Sequence, residues 1–177
     1  MTSPQPRLLI DRKTIAEMVL DLAKRISQDY RGEDLVLVCV LKGAFVFLSD
    51  LIRALDIPVE IDFVRLASYG SKQVSSGNVR ITKDIEIPIE DKHVLIVEDI
   101  VDTGHTLAHL IERLSPRHPR SVKICTLLDK EARREADIRV DYGGFKIEDR
   151  FVVGYGLDFD EKYRSLPDIC YLEEPEP

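Results

Sequence analysis

The chain has 177 residues and a formal net charge of −7, from 25 Lys and Arg against 32 Asp and Glu. That length suits one domain, with a compact radius of gyration of roughly 16 Å and enough interior for a core without staples. The chain is 44% hydrophobic and 32% charged, the balance of an ordinary soluble domain, and its acidity argues against a protein that coats nucleic acid through bulk charge.

Cys39, Cys125 and Cys170 lie far apart, so they suggest neither a disulfide framework nor a metal-ligand pair. A reducing cytoplasm fits that usage. Met1 to Arg7 is polar with two prolines and lacks the apolar stretch of a signal peptide. No apolar run approaches the ~20 residues of a membrane span. Glu173 to Pro177 reads as a solvated tail.

In chain order, Ile15, Met18, Val19, Leu22, Ala23 and Ile26 recur at helical spacing. They predict an amphipathic helix over about 12–30, with Thr14 and Glu17 as a capping box and Gly32 closing the segment. Leu35 to Leu41 is a continuous apolar run, as expected of a strand buried on both faces of a parallel sheet. Ala44 to Leu55 reads as helix and Val59 to Ala67 as strand. Ser68 to Asn78, with two glycines and four serines, reads as a polar loop, and Arg80 to Ile87 as a returning strand. Val94 to Val97 is a second buried-strand signal, followed by a helix marked by Leu107, Leu110, Ile111 and Leu114. Ser121 to Leu128 is a third such strand and Phe151 to Tyr155 a fourth. Alternating strands and helices imply an α/β fold with a twisted parallel sheet flanked by helices.

The segment from Val94 to Leu107 carries the chemistry. A buried strand delivers Glu98 and Asp99, crosses a short turn with Asp102, and opens a helix. Ligands of open α/β sheets bind at the carboxyl ends of strands. Asp102 to Thr106 supply backbone N–H groups, two hydroxyls and a glycine, a cradle suited to phosphate at a helix N-terminus. Glu98 and Asp99, as acceptor-only carboxylates, suit ligand hydroxyls. Read singly, Asp102 is a helix N-cap, Lys130 belongs to a solvated charged run, Phe151 is core, Gly104 is a turn residue and Arg164 is a surface arginine.

Together these residues are more than that. Val97-Glu98-Asp99-Ile100-Val101-Asp102-Thr103-Gly104-His105-Thr106-Leu107 resembles the phosphoribosyl-pyrophosphate (PRPP) binding motif of type I phosphoribosyltransferases. Four further segments resemble the hypoxanthine-guanine branch. They are Val40-Leu41-Lys42-Gly43, Ser68-Tyr69-Gly70, Leu127-Leu128-Asp129-Lys130, and Phe151 to Asp158 with Tyr163-Arg164-Ser165-Leu166 after it. The resemblance spans about residues 35 to 170, with the motifs in the family's order.

The resemblance implies transfer of the phosphoribosyl group from PRPP to a 6-oxopurine, hypoxanthine or guanine, with magnesium, giving IMP or GMP and pyrophosphate. It implies Asp102 as general base at the purine, with Glu98 and Asp99 on the ribose hydroxyls. Thr103, Gly104, His105 and Thr106 would bind the 5′-phosphate, His105 through its backbone where some members carry lysine. Leu41, Lys42, Gly43 and Arg164 would bind pyrophosphate, with a cis peptide between Leu41 and Lys42. Ser68 and Tyr69 would belong to a closing lid. Lys130 would donate to the 6-oxo group, Phe151 would stack on the base and Val152 would read its edge. Glu98, Asp99 and Asp158 would lie at the metals, Asp158 also beside the purine. A core over about 35–150 would carry a small hood from about 1–20 and 145–177, in one phosphoribosyltransferase domain. A homodimer or homotetramer is implied, with the segment from Lys42 to Leu55 near the interface.

Lys130 has donors and no acceptor, which suits an oxo group and disfavours adenine. Two alternatives stay open: a xanthine-preferring enzyme, and a PRPP-fold RNA-binding regulator, which should show a basic face. The preference between hypoxanthine and guanine is not legible. His93, His109 and His118 read as surface or strand-edge residues, and Cys39 and Cys125 as small core residues.

Overall fold

The apolar run Leu35–Leu41 forms a strand whose residues are buried up to its last position. In the computed structural model, which describes residues 5–68 and 79–173, this strand lies near the middle of a six-stranded sheet. Along the chain the elements are β1 (Pro6–Ile10), α1 (Arg12–Asp29), β2 (Leu35–Leu41), α2 (Phe45–Ala54), β3 (Glu60–Ser68), β4 (Val79–Lys83), β5 (His93–Val101), α3 (His105–Leu114), β6 (Ser121–Asp129), β7 (Tyr142–Lys146), β8 (Val152–Val153) and β9 (Ile169–Leu172). The large sheet has the order β4-β3-β2-β5-β6-β7. It is parallel except for β4, which pairs antiparallel with β3 at the edge.

Strand alternation divides the core into two layers. Leu35, Leu37 and Cys39 of β2, with Leu95 and Val97 of β5, pack beside Ile15, Leu22 and Ile26 of α1 and Phe47 and Leu51 of α2. The intervening Val36, Val38 and Val40, with Val94 and Ile96, pack against Leu107, Leu110 and Leu114 of α3. Both faces are covered, which is why the strands read as unbroken apolar runs.

Several expectations need correction. Helix α1 is capped by Asp11, whose carboxylate accepts from the Lys13 and Thr14 N–H groups at 2.9 Å. The helix therefore starts before Thr14, and no capping box on Thr14 and Glu17 begins it. Asp102 is not the N-cap of α3 either; that cap is Gly104, at φ +88. The returning strand stops at Lys83, while β5 runs through both acids to Val101.

The segment Phe151 to Tyr155 contributes only Val152–Val153 as strand, and in a different sheet. The chain turns straight after it, through positive φ at Gly154, Tyr155 and Gly156. The sixth core strand is β7, whose Gly143-Gly144 pair reads locally as a turn. A Cβ at Gly144 would lie 2.4 Å from the Leu127 carbonyl oxygen, so the second glycine permits the close approach to β6.

The smaller sheet has the order β1-β9-β8 and is antiparallel. It joins the start of the chain to its last described strand beside the segment at Phe151, where the Leu172 N–H donates to the Phe151 carbonyl at 3.0 Å. The loop expected over Ser68–Asn78 lies, after Ser68, outside the described residues. So do the first residues of the N-terminal segment and, after Glu173, the C-terminal tail.

Candidate active site

The carboxyl ends of β2, β3, β5 and β6 open onto a cleft of about 490 Å³. Ten of the residues singled out from sequence line it: Leu41, Lys42, Gly43, Asp99, Asp102, Lys130, Phe151, Val152, Asp158 and Arg164. They come from five separate stretches of chain, brought to one place by the parallel sheet.

The turn after β2 supplies the first wall. The Leu41–Lys42 peptide is cis. Gly43 then passes so close to β5 that a Cβ would sit 1.6 Å from the Asp99 carboxylate, so a larger residue there would displace that carboxylate. Lys42 lies beside the stretch around Glu161, and its Nζ donates to both Glu161 oxygens at 2.8 and 2.9 Å.

Glu98 and Asp99 lie on the last stretch of β5. Burial pushes the Glu98 carboxyl well above the ordinary glutamate range, and the neighbouring Asp99 charge adds to it. Burial also pushes Asp99 upward, against hydrogen bonds from Glu98 and from backbone N–H groups. Two carboxyls in one desolvated place resist double ionisation, so the pair is ready to accept hydroxyl donors or a cation. Asp99 lines the cleft; Glu98 is half-buried behind it.

Beyond Val101 the chain turns into α3. The Thr103 carbonyl accepts from the Glu135 and Ala136 N–H groups, both at 3.0 Å, which pins the loop. The glycine cap brings no side chain to the first N–H groups of α3. That leaves the positive end of the helix open to an anion. Gly104 is close-packed: a Cβ would meet Ile138 at 2.9 Å. Thr103, Gly104, His105 and Thr106 border the cleft and do not line it. The His105 ring is directed to Glu135, at 2.9 Å, which leaves its backbone N–H as the group it presents at the start of α3.

Asp102 and Lys130 both line the cleft, where β5 and β6 end. The Lys130 N–H donates to the Val101 carbonyl at 2.9 Å. Lys130 is buried, with its Nζ 3.1 Å from Asp149. The short helical turn Glu131–Arg133 then returns Arg133 toward the cleft. Arg133 donates through Nε to Asp102 at 2.8 Å and through a terminal nitrogen to Asp149 at 2.7 Å. Asp149 falls below its usual carboxylate range because Arg133 and Lys130 both donate to it. A connected set of two cations and two carboxylates thus frames one end of the cleft.

Phe151 is 53% exposed there, edge-on to Phe159 with centroids 5.3 Å apart. An exposed aromatic face at a cleft edge suits stacking on a planar ring. Val152 is buried in β8 beside it. At the other end Arg164 donates to the Gly156 carbonyl at 2.8 Å and pairs with Asp158 at 2.8 Å and Glu161 at 3.3 Å. Ser68 is the last residue of β3, paired with Val79, and Tyr69 lies outside the described residues.

Sequence reasoning missed Arg65, Arg133, Asp149 and Glu161. Arg65 lines the cleft from β3. Arg133 sits in the run Glu131 to Glu135, which reads as solvated surface. Its signal was distance from Lys130: three residues is one turn, enough to bring a side chain back to the same place.

A divalent cation would need hard oxygen donors. Asp99 and Asp158 offer them on the cleft wall, with Glu98 behind. Among the described residues no three acidic, His or Cys side chains gather into a cage. Magnesium usually takes one or two carboxylates and completes its shell with water and substrate phosphate oxygens.

The sequence pattern of the phosphoribosyl transferase domain matches residues 9–160. The chain is 46% identical over 172 residues to the hypoxanthine-guanine phosphoribosyltransferase of Mycobacterium avium, covering 94% of this chain and 85% of that protein. It is 44% identical over 167 residues to the Bacillus subtilis (strain 168) enzyme of the same name, covering 94% and 93%. The crystal structure of a hypoxanthine phosphoribosyltransferase from Staphylococcus aureus superposes with a TM-score of 0.91 at 46% identity, over 94% of this chain and 91% of that one. Fold, motif order and similarity along nearly the whole chain agree: the chain belongs to the hypoxanthine-guanine phosphoribosyltransferase family.

Proposed function

We propose that this protein serves purine salvage by moving the phosphoribosyl group of PRPP to the imidazole nitrogen of hypoxanthine or guanine, releasing pyrophosphate with IMP or GMP. The observation that carries this reading is the placement of Asp102. It stands at the mouth of an open helix N-terminus and in the same cleft as Lys130, Asp99 and Arg164. An anion, a diol and a flat heterocycle can be held there at once.

In this reading the first N–H groups of α3 hold the 5′-phosphate, and Glu98 and Asp99 accept from the ribose hydroxyls. Phe151 stacks on the purine while Lys130 donates to its 6-oxo oxygen. Asp102 takes the ring proton as the base attacks the ribose carbon, and Arg133 holds the carboxylate in place beforehand. Lys42 and Arg164, with the Gly43 backbone, take the pyrophosphate. Asp99 and Asp158 would hold magnesium together with the substrate oxygens. When bound, that ion would neutralise charge developing on the leaving diphosphate. Ser68 and Tyr69 belong to a lid that would shield the reacting centre from water. The small sheet forms the hood over the purine, completing a single domain.

No helix among the described residues is long and apolar enough to cross a membrane. The reading places the enzyme in the cytoplasm, as a homodimer or homotetramer, with no nucleic-acid partner. The test is to mix protein, magnesium and PRPP with hypoxanthine, guanine, xanthine, adenine or uracil and follow nucleotide formation. IMP and GMP should form, with little product from adenine or uracil. Dominant xanthine turnover would change the substrate, and PRPP binding without turnover of any base would overturn the reaction.

A further inference from the structure

Beside Lys42 and Arg164, two of the cations that line the cleft, lies an anion paired with both of them. Glu161 accepts from Lys42 Nζ through Oε1 at 2.8 Å and Oε2 at 2.9 Å, and its Oε2 lies 3.3 Å from Arg164. It comes from far away in sequence, 119 residues beyond Lys42. The turn that presents it is a tight two-residue hairpin turn. Asp160 and Glu161 both have positive φ, at +53° and +58°, a region that costs energy for L-residues other than glycine. The turn is closed by reciprocal backbone hydrogen bonds between Phe159 and Lys162 at 3.0 and 3.1 Å. The Glu161 N–H is held by Asp158 at 2.9 Å.

We propose that Glu161 is a built-in competitor for pyrophosphate. Its carboxylate holds Lys42 and Arg164 in the empty cleft, yields them to the diphosphate of PRPP, and takes them back when pyrophosphate leaves. The inference rests on the assignment of Lys42 and Arg164 to the pyrophosphate end of the site. The donors to the Glu161 carboxylate, Lys42 first and Arg164 second, also hold it ionised below its usual range.

Magnitudes favour exchange over a fixed bridge. The Glu161 side chain is 65% exposed and that of Lys42 45%, and ion pairs at such exposure are weak and screened. A diphosphate brings more charge and more acceptor oxygens than one carboxylate, so it wins both cations. PRPP also has its ribose and 5′-phosphate to hold on by and tolerates the competition. Free pyrophosphate lacks those handles, so the same competition shortens its stay. Glu161 thereby trades affinity for release at the leaving-group end alone.

The experiment compares wild type with Glu161→Gln and Glu161→Ala. The probes are magnesium pyrophosphate and inorganic phosphate, measured by calorimetry without purine and by inhibition of nucleotide formation. Both variants should bind pyrophosphate roughly two- to tenfold more tightly, the scale of an exposed ion pair. Product inhibition by pyrophosphate should strengthen by the same factor, with the KM for hypoxanthine changed less than twofold. The difference should shrink at high salt.

Unchanged or weaker pyrophosphate binding in both variants overturns the proposal and leaves Glu161 as a buttress of the turn. Arg164→Gln separates that failure from failure of the underlying assignment. If wild type binds pyrophosphate no better than Arg164→Gln, the pyrophosphate site is misplaced and the inference falls with it. If binding depends on Arg164 and ignores Glu161, only the inference falls.

Discussion

Asp102 and Lys130 are neighbours only because the ends of β5 and β6 are neighbours, and their roles separate by chemistry. Asp102 can accept a proton; Lys130 can only donate. Replacing Asp102 with alanine should cut kcat by roughly 10²–10⁴-fold, the span of general acid–base groups. Steady-state rates with saturating PRPP and hypoxanthine would check it, and near-normal turnover would remove Asp102 from the base role. If Lys130 donates to the purine oxo group as proposed, Lys130→Ala should raise the KM for the purine far more than that for PRPP. Equal losses on both substrates would count against that assignment. At this scale Asp102, Lys130 and Arg164 were legible in sequence as members of ordered motifs. Arg133, Asp149 and Glu161 were not, since charged residues in polar runs resemble any solvated face until their partners are known.

At the scale of elements, the β3–β4 edge is tied down by one buried carboxylate. Asp62 on β3 accepts from the Phe63 N–H at 2.7 Å, the Glu86 N–H at 2.5 Å and the Ile87 N–H at 2.9 Å. Lys83 lies 3.5 Å away. Burial by itself would raise the Asp62 carboxyl; the three N–H donors and the Lys83 charge outweigh it and hold it below 3.8. Because the folded state depresses this group, its stabilisation is complete above pH 3.8. It drains away at lower pH, as the unfolded chain takes up the proton first. Asp62→Asn should cost about 1–3 kcal/mol by leaving buried donors poorly paired, measured from denaturant midpoints near neutral pH. The gap from wild type should narrow below pH 3.8, and a pH-independent gap would refute the electrostatic account. The strands β2, β5 and β6 were legible from apolar runs, and β3 from apolar residues that broadly alternate. The strand β7 was not, because Gly143 and Gly144 look like a turn and their purpose is a close approach to β6.

At the scale of the molecule, all three cysteines are buried. Burial pushes the Cys39 thiol up to about 12, helped by the Glu98 and Asp99 charges, and raises Cys125 and Cys170 as well. The thiolate is the reactive form, so the folded protein should resist an aromatic disulfide reagent near neutral pH. Denaturant should release three equivalents. Rapid labelling of Cys39 or Cys125 in the native protein would show that the two-layer core opens more readily than its packing implies.

Two things were determined by the sequence alone. Continuous apolar strands declared a sheet covered on both faces, since only a doubly buried strand can dispense with polar residues on either side. The acid-turn-helix segment from Val94 to Leu107 declared a strand end carrying Glu98 and Asp99 that leads through a short turn into a helix, because that pattern is local. Tertiary structure decided the rest. It brought Glu161 to Lys42 across 119 residues and Arg133 to Asp102 across 31. It also moved the segment at Phe151 out of the large sheet and into the small one. Those outcomes depend on which chain ends the sheet order sets side by side, and no local pattern carries that information.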